Sequence, residues 1–536
     1  MSKETLQHTM RSKVRVFEDG GIRLLRKGQK GLIHAIFSRF GLVLVLLVLQ
    51  FGALFSLMRW FSNLLPHYLG GTLLVTAAMM VYLLNQDMNN SVRIPWLVVT
   101  ALAPVLGVLL FCYTKEDVGH RMLKKRLLEL EGQTRGQLAQ DKKASTALDA
   151  DCPGAASLAQ YLRGRGGGFP VYENTQVTYF PSGEAKFAAL LPQLESATQY
   201  IFLEYFIIDE GLMWGRILEI LARKAAQGVD VRVMYDGTCE FSTLPRDYPR
   251  RLEALGIRCK VFAPVTPFVS THYNYRDHRK ILVVDGRVGF TGGINIAQRY
   301  ITGTKLGPWR DTHLRLEGEA VGMLQIVFIT DWFFVTKKLL ADYDKYLPKT
   351  HVRDETMIQI VTSGPDSDWA SIMQAFFSAI SHAQHHIYIS SPYFLPNEAI
   401  LTAVKVASLS GIDVRIMIPS RSDSKIVYWA SRSYIGELIE ANVKVYLYRK
   451  GFNHSKLIMI DGRFASVGTA NMDIRSFEDN FEVSAILYDR AITESLEADF
   501  LRDLERSRLV TREYWESRPL LHNMYEAMSR LFSPLL

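Results

Sequence analysis

Residues 278–295 read HRKILVVDGRVGFTGGIN. A short apolar run, ILVVD, is bounded by His278 and Lys280 at one end and by a glycine turn at the other. Such a run suits a strand buried on both faces. On a strand the side chains at i and i+2 share a face, so His278 and Lys280 point the same way. A buried strand has no structural need for an imidazole and an ammonium side by side at its end. The stretch also has a twin, HSKLIMIDGRFASVGTAN, at 454–471. Each copy carries His-x-Lys, four residues, then Asp: His278, Lys280 and Asp285, and His454, Lys456 and Asp461. Seventeen residues after each His stands an asparagine, Asn295 and Asn471, preceded by glycine (Gly292 and Gly293; Gly468). Glycine there lets the backbone approach a ligand closely.

The twin belongs to a longer duplication, the first thing to look for in a chain of 536 residues. GVDVRVMYDG (228–237) is echoed by GIDVRIMIPS (411–420), YIFLEYFI (200–207) by IYISSPYFL (387–395), and GIRCKVF (256–262) by NVKVYLY (442–448), in the same order. Amphipathic helices, KFAALLPQLESAT and WASIMQAFFSAISHAQ, precede the first strand of each copy. Alternating helices and short β-branched strands predict two α/β layered domains meeting about a pseudo-twofold axis. The expected divisions are 165–347 and 348–536, with a flexible joint at RGRGGGFP (163–170). A helix near 492–507 reads as packing.

The N-terminal part has a different composition. Segments 41–58, 69–84 and 94–113 carry no charge. A bilayer-spanning helix needs about 20 apolar residues, so two or three transmembrane helices are expected within 41–113. Residues 1–40 form a basic tail with nine Lys/Arg against three acids, and 114–126 hold five against two. Both clusters ask for the cytoplasmic side, whereas three crossings would separate them. The linker 114–164 opens with HRMLKKRLLELEG (120–132), an amphipathic helix that either lies on the membrane or packs on a domain. Net charge is +8, and beside hydrophobic segments it favours anionic lipid over nucleic acid as the partner. Cys112, Cys152, Cys239 and Cys259 form no C-x-x-C pair and read as structural thiols.

Two imidazoles and two ammonium groups around one phosphodiester define a chemistry. The ammoniums, with the two amides, neutralise the phosphate oxygens that repel nucleophiles. One imidazole attacks phosphorus and splits the exchange into two steps. The other protonates the leaving alkoxide and then deprotonates the incoming alcohol. The lysines supply the positive charge, so neither metal nor cofactor is required. Carboxylates that orient the rings would give the histidines distinct states, and Asp311 and Glu482 are the candidates downstream of each motif. Asp285 and Asp461 complete the catalytic signature but close the far ends of their strands. A bracing role is expected for them ahead of direct chemistry.

The paired motifs resemble those of the phospholipase D superfamily across 165–515. With NNSVRIPWLVVTALAPVLGVLLFCYTK, FLEYFIIDEG, GGINIAQRYI, PWRDTHLRLEG, TSGPDSDW, SSPYFLP and GTANMDIRSFEDNFEV, the chain resembles bacterial cardiolipin synthases. The resemblance implies phosphatidyl transfer between two phosphatidylglycerol molecules, releasing glycerol, in a multi-pass protein of the bacterial cell membrane. It implies His278 as nucleophile and His454 as general acid/base. It also implies carboxylates paired across the halves, Glu482 with His278 and Asp311 with His454. Two alternatives use the same features: a membrane-bound phospholipase D-type hydrolase, with water as acceptor, and a non-catalytic lipid-binding protein. No oligomeric state follows from the sequence.

Overall fold

The structure, a computed structural model, describes residues 15–16, 22–24, 48, 52–53, 55–56, 59, 68–86, 88, 90–115, 148, 153–164, 166–264, 275–337, 346, 352–365, 367 and 369–533. Most of segment 41–58 and the helix expected at 120–132 lie outside these residues.

The first half forms a seven-stranded sheet. Its strands are β1 (Thr175–Phe180), β2 (Tyr200–Tyr205), β3 (Asp230–Asp236), β4 (Arg258–Phe262), β5 (Lys280–Val284), β6 (Val288–Gly292) and β7 (His313–Gly318). They lie in the order β1-β7-β6-β5-β2-β3-β4. β2, β3 and β4 are parallel; the other pairings are antiparallel. The second half holds β8 (Ile358–Ser363), β9 (His386–Ser390), β10 (Asp413–Pro419), β11 (Lys444–Tyr448), β12 (Leu457–Ile460), β13 (Phe464–Gly468) and β14 (Glu482–Leu487). Their order, β8-β14-β13-β12-β9-β10-β11, repeats that of the first sheet position by position. The duplication read from the motifs therefore extends to the whole topology.

Alternation along the strands divides the core. Ile201, Leu203 and Tyr205 of β2 face helices Gly183–Ser196 and Leu212–Ala226, packing with Leu190, Leu194, Trp214 and Leu221. Tyr200 and Phe202 face the other way, into a cluster shared with the second half. There the helix Val321–Thr336 fills the space, with Phe328 stacked on Phe202 at 4.6 Å between ring centroids. Each such buried side chain contributes about 1.5–3 kcal/mol relative to an exposed one. Helix starts follow their caps: Ser182 accepts from Ala185 N, Asn397 from Ile400 N and Asp489 from Ile492 N.

Three expectations need correction. The division at residue 165 does not follow the packing. Helix Pro153–Arg163 packs on helix Ser371–Ser381 of the second half, and Val171–Tyr172 extends the second sheet beside β8. Within RGRGGGFP, expected as a flexible joint, Gly166 is closely packed. A Cβ at Gly166 would come within 2.7 Å of the Tyr161 ring, and Ser371 Oγ donates to Gly166 O. Finally, segment 94–113 is not one straight span. It breaks at Ala103 into helices Asn90–Leu102 and Pro104–Lys115. These fold back so tightly that a Cβ at Gly107 would sit 2.8 Å from Thr100 Cα. Among the described residues no helix is long and apolar enough to cross a membrane; Tyr68–Leu84, at 17 residues, is the longest of the N-terminal ones.

Candidate active site

The two motifs meet because each half lends a short segment to the other. Just before β12, Phe452–Asn453 pairs in parallel with Trp309–Arg310, and His454 N donates to Arg310 O at 2.7 Å. Just before β5, Asp277 bridges Phe481, and His278 N donates to Phe481 O at 2.9 Å. In both seams the histidine follows its pairing segment, and the carboxylate follows the segment that it pairs with. Register alone therefore sets Glu482 beside His278 and Asp311 beside His454.

His278 Nδ1 lies 2.9 Å from both Glu482 oxygens. Thr469 Oγ1 donates to Glu482 Oε2, and Asn480 Nδ2 reaches Oε1 at 3.3 Å. His454 Nδ1 lies 2.7 Å from Asp311 Oδ2, with Lys456 Nζ at 2.8 Å and Tyr300 Oη at 3.3 Å from the same nitrogen. Lys280 Nζ and Lys456 Nζ each donate to the carbonyl of their own motif histidine. Both histidines, both lysines and both carboxylates are buried, with His278 7 % and His454 8 % exposed.

Burial governs the electrostatics. It pushes His278 down to about 4, against the pull of Glu482 and with the push of Lys280. It pushes His454 down to about 4 as well, helped by Lys456 and opposed by Asp311. Lys280 falls to about 7 and Lys456 to about 8, burial again being the main cause. Burial works to raise Glu482, but His278, Lys280 and the Thr469 hydroxyl outweigh it and hold the carboxyl at about 2. In the resting site, therefore, neutral imidazoles face a carboxylate through Nδ1. A neutral ring that donates from Nδ1 has its lone pair on Nε2, the atom able to attack phosphorus.

The remaining sequence candidates divide. Asp285 accepts from Thr198 N, Thr198 Oγ1, Gln199 N and Tyr200 N; Asp461 accepts from Gln384 N, His385 N and His386 N. These carboxylates tie the loops before β2 and β9 to the far ends of the motif strands. Their hydrogen bonding is that of braces. Asn295 is engaged by Ile207 N (3.0 Å) and Tyr300 Oη (3.1 Å), so it is wired to His454 through the phenol. Asn471 Oδ1 is buried without a hydrogen-bond partner. Phe206 stands edge-on to His278 at 4.9 Å, and Trp309 lies 5.3 Å from the His454 ring. Tyr205 and Phe394 are core residues.

Sequence reasoning missed Tyr300, Thr469 and Asn480. Comparing the repeats gives a signal for two of them. Thr469 stands where the first copy has Gly293, and Ser476 stands where the first copy has Tyr300. Gly293 is required where it is: a Cβ there would come 2.1 Å from Asp311 Oδ1.

A duplicated α/β fold that joins two His–Lys motifs in one seam defines the phospholipase D class of phosphodiester-exchange enzymes. Its family description "Cardiolipin synthase, PLD-like domain" matches residues 190–305 and 376–504. A cardiolipin synthase of Geobacillus sp. (strain WCH70) is 42% identical over 446 residues, 83% of this chain and 88% of that protein. One from Geobacillus kaustophilus is 39% identical over 500 residues, 92% of this chain and 98% of that protein. The chain belongs to the cardiolipin synthase family of phospholipid phosphatidyltransferases. The fold is also that of phosphatidylserine synthase from Haemophilus influenzae, with a TM-score of 0.54 at 14% identity over 71% of this chain and 97% of that one.

Proposed function

We propose that the enzyme transfers a phosphatidyl group from one phosphatidylglycerol to another. His278 Nε2 attacks phosphorus, forming the P–N bond as the P–O bond to glycerol breaks. The anionic phosphate draws a proton onto His454 as it binds, and the glycerol alkoxide takes that proton. A hydroxyl of a second phosphatidylglycerol then gives its proton to His454 and attacks the phosphohistidine. The P–N bond breaks, cardiolipin leaves and His278 is restored. Lys280 and Lys456 neutralise the phosphate oxygens throughout, and Asn471 offers its amide to the same phosphate. The observation that supports this reading is the crossed seam: each imidazole is oriented by a carboxylate from the opposite half, at 2.9 and 2.7 Å.

One ester replaces another, so no nucleotide is needed to drive the exchange. Purified enzyme given labelled phosphatidylglycerol in detergent, without added metal or nucleotide, yields cardiolipin and glycerol in equal amounts. Phosphatidic acid as the main product would instead make the enzyme a hydrolase.

The catalytic halves are assigned to the cytoplasmic face of the bacterial cell membrane, with the chain crossing that membrane an even number of times between Leu24 and Pro153. What supports the parity is the N-terminal segment. Leu24 N donates to Glu210 Oε1 at 2.9 Å, Arg251 donates to Leu24 O at 2.6 Å, and Ile22 joins the first half's core. Residue 24 and the catalytic halves therefore share one side, as both basic clusters ask. A re-entrant hairpin at 90–115 accounts for the third apolar segment without a crossing. Protease added to sealed inverted vesicles removes tags from both termini; a tag protected at one end alone refutes the even count.

A further inference from the structure

The last helix described, Leu520–Arg530, has its faces reversed. It buries Glu526 (5 % exposed) and Ser529, and Glu526 accepts from Arg432 and Arg518. Its outer face carries Leu520 (77 % exposed), Leu521, Met524, Tyr525 and Met528 (60 % exposed), continued by Leu531 and Phe532. A helix on a water-facing surface does the opposite. The spacing puts these residues on one stripe. Ile426 adds to it from helix Lys425–Arg432, whose Trp429 packs 5.0 Å from His522 and 5.4 Å from Tyr525. A contiguous apolar surface of this kind marks an interaction site.

We propose that this stripe docks on the bilayer, its side chains among the acyl chains, and holds the active-site mouth against the lipid surface. Three observations choose a bilayer over a protein partner. First, the stripe is continuous with the site. Helix Lys425–Arg432 begins just after Asp423, which accepts from Tyr393 Oη at 2.9 Å and whose charge bears on both His454 and Lys456. Second, the same edge of the sheet is cationic. Arg421 and Lys425 are exposed after β10, and Arg449 and Lys450 are exposed after β11, whose last residue, Tyr448, pairs with Pro419. That edge fits anionic headgroups, as amphipathic interfacial helices flanked by Lys and Arg do. Third, the reacting phosphate is part of a lipid, yet both histidines are more than nine-tenths buried. A lipid has to rise only a short way into a mouth pressed on its own leaflet. This last argument, and the choice of phosphatidylglycerol below, rest on the function proposed above.

The full chain carrying Cys112→Ser and Cys152→Ser is reconstituted into phosphatidylglycerol vesicles. A single cysteine replaces Met524 or Met528 and is labelled with an environment-sensitive fluorophore. Brominated-acyl lipids then quench both labels at least threefold more than a label at the exposed control position Glu505. Equal quenching at all three positions, or crosslinking of the Met524→Cys label to a second copy in place of quenching, overturns the proposal. Quenching is read without turnover, so it stands even if the assigned reaction is wrong. As a second measurement, Met524→Glu/Met528→Glu lowers turnover of long-chain phosphatidylglycerol in vesicles at least tenfold. It leaves turnover of a water-soluble short-chain analogue within twofold. Equal losses on both substrates indicate damage to the fold and count against the docking role.

Discussion

His278→Ala protein given phosphatidylglycerol labelled in its phosphate forms no labelled enzyme and no cardiolipin. His454→Ala protein becomes labelled and stays labelled. The two results differ because the histidines act at different atoms. Without His278 no P–N bond can form, and the two lysines can only hold the phosphate. Without His454 the first step still has its nucleophile and its two cations but loses its acid, a loss of about 10²–10⁴-fold. The second step loses its base by a similar factor, so the covalent state accumulates once formed. Acid-quenched protein, assayed for protein-bound label, reads the difference directly. Label on His278→Ala with none on His454→Ala would exchange the two roles. Each variant leaves a fully buried carboxylate, Glu482 or Asp311, without its imidazole, so both unfold at lower temperature than the parent chain, and that shared loss does not produce the difference in labelling.

The asymmetry behind this assignment lies around Nδ1. At His278 a carboxylate is the group at that nitrogen in the seam, and Lys280 is turned to the His278 carbonyl. At His454 the nitrogen also meets Lys456 Nζ and the Tyr300 hydroxyl. A carboxylate acting alone makes the imidazole the better nucleophile. An ammonium and a phenol beside the other ring favour one that passes a proton on and takes it back.

Much of this was legible in the sequence, for a physical reason. β5 and β12 are central strands, so their apolar runs are continuous and each sits beside its motif. The repeat then fixed the order of most elements. The outer strands β1, β7, β8 and β14 were not read. β1 pairs with β7 across more than a hundred residues, and no local pattern announces such a partner. Helix Val321–Thr336 is apolar on nearly every side, so it has no periodicity to detect. Asp311 and Glu482 were recognisable as carboxylates downstream of each motif, whereas their neighbours Tyr300, Thr469 and Asn480 act only through contacts made in the folded seam. Leu520, Leu521, Met524 and Met528 have helical spacing, which in a sequence reads as a buried face. That they point outward depends on Arg432 and Arg518 drawing Glu526 inward.

Glu482→Gln lowers turnover by about 10²–10⁴-fold while leaving substrate affinity nearly unchanged. The reason is the ring's tautomer. Glu482, held at about 2, is a carboxylate at every working pH and can only accept, so it fixes the proton on His278 Nδ1 and the lone pair on Nε2. A glutamine amide can donate to Nδ1 instead. The proton then moves to Nε2, and the atom facing phosphorus can no longer attack; the corresponding change in a serine-protease triad costs about 10⁴-fold. The pH profile separates this from a loss of charge. In the parent enzyme His278 is neutral down to about 4, so the acid limb of kcat/KM lies low. Lys280 at about 7 and Lys456 at about 8 give the alkaline limb, because the free site loses its positive charge above those values. A bound phosphate raises both lysines, so the alkaline limb of kcat lies at higher pH than that of kcat/KM. The depressed values also fix the sign for stability. The contribution of His278 is fully present above its ordinary value near 6.5 and is lost as pH falls through 4. In Glu482→Gln the Lys280 ammonium loses its carboxylate partner, so the alkaline limb moves to lower pH as the rate falls. A Glu482→Gln enzyme with parent turnover, or with an unmoved alkaline limb, would mean that the carboxylate does not set the nucleophile.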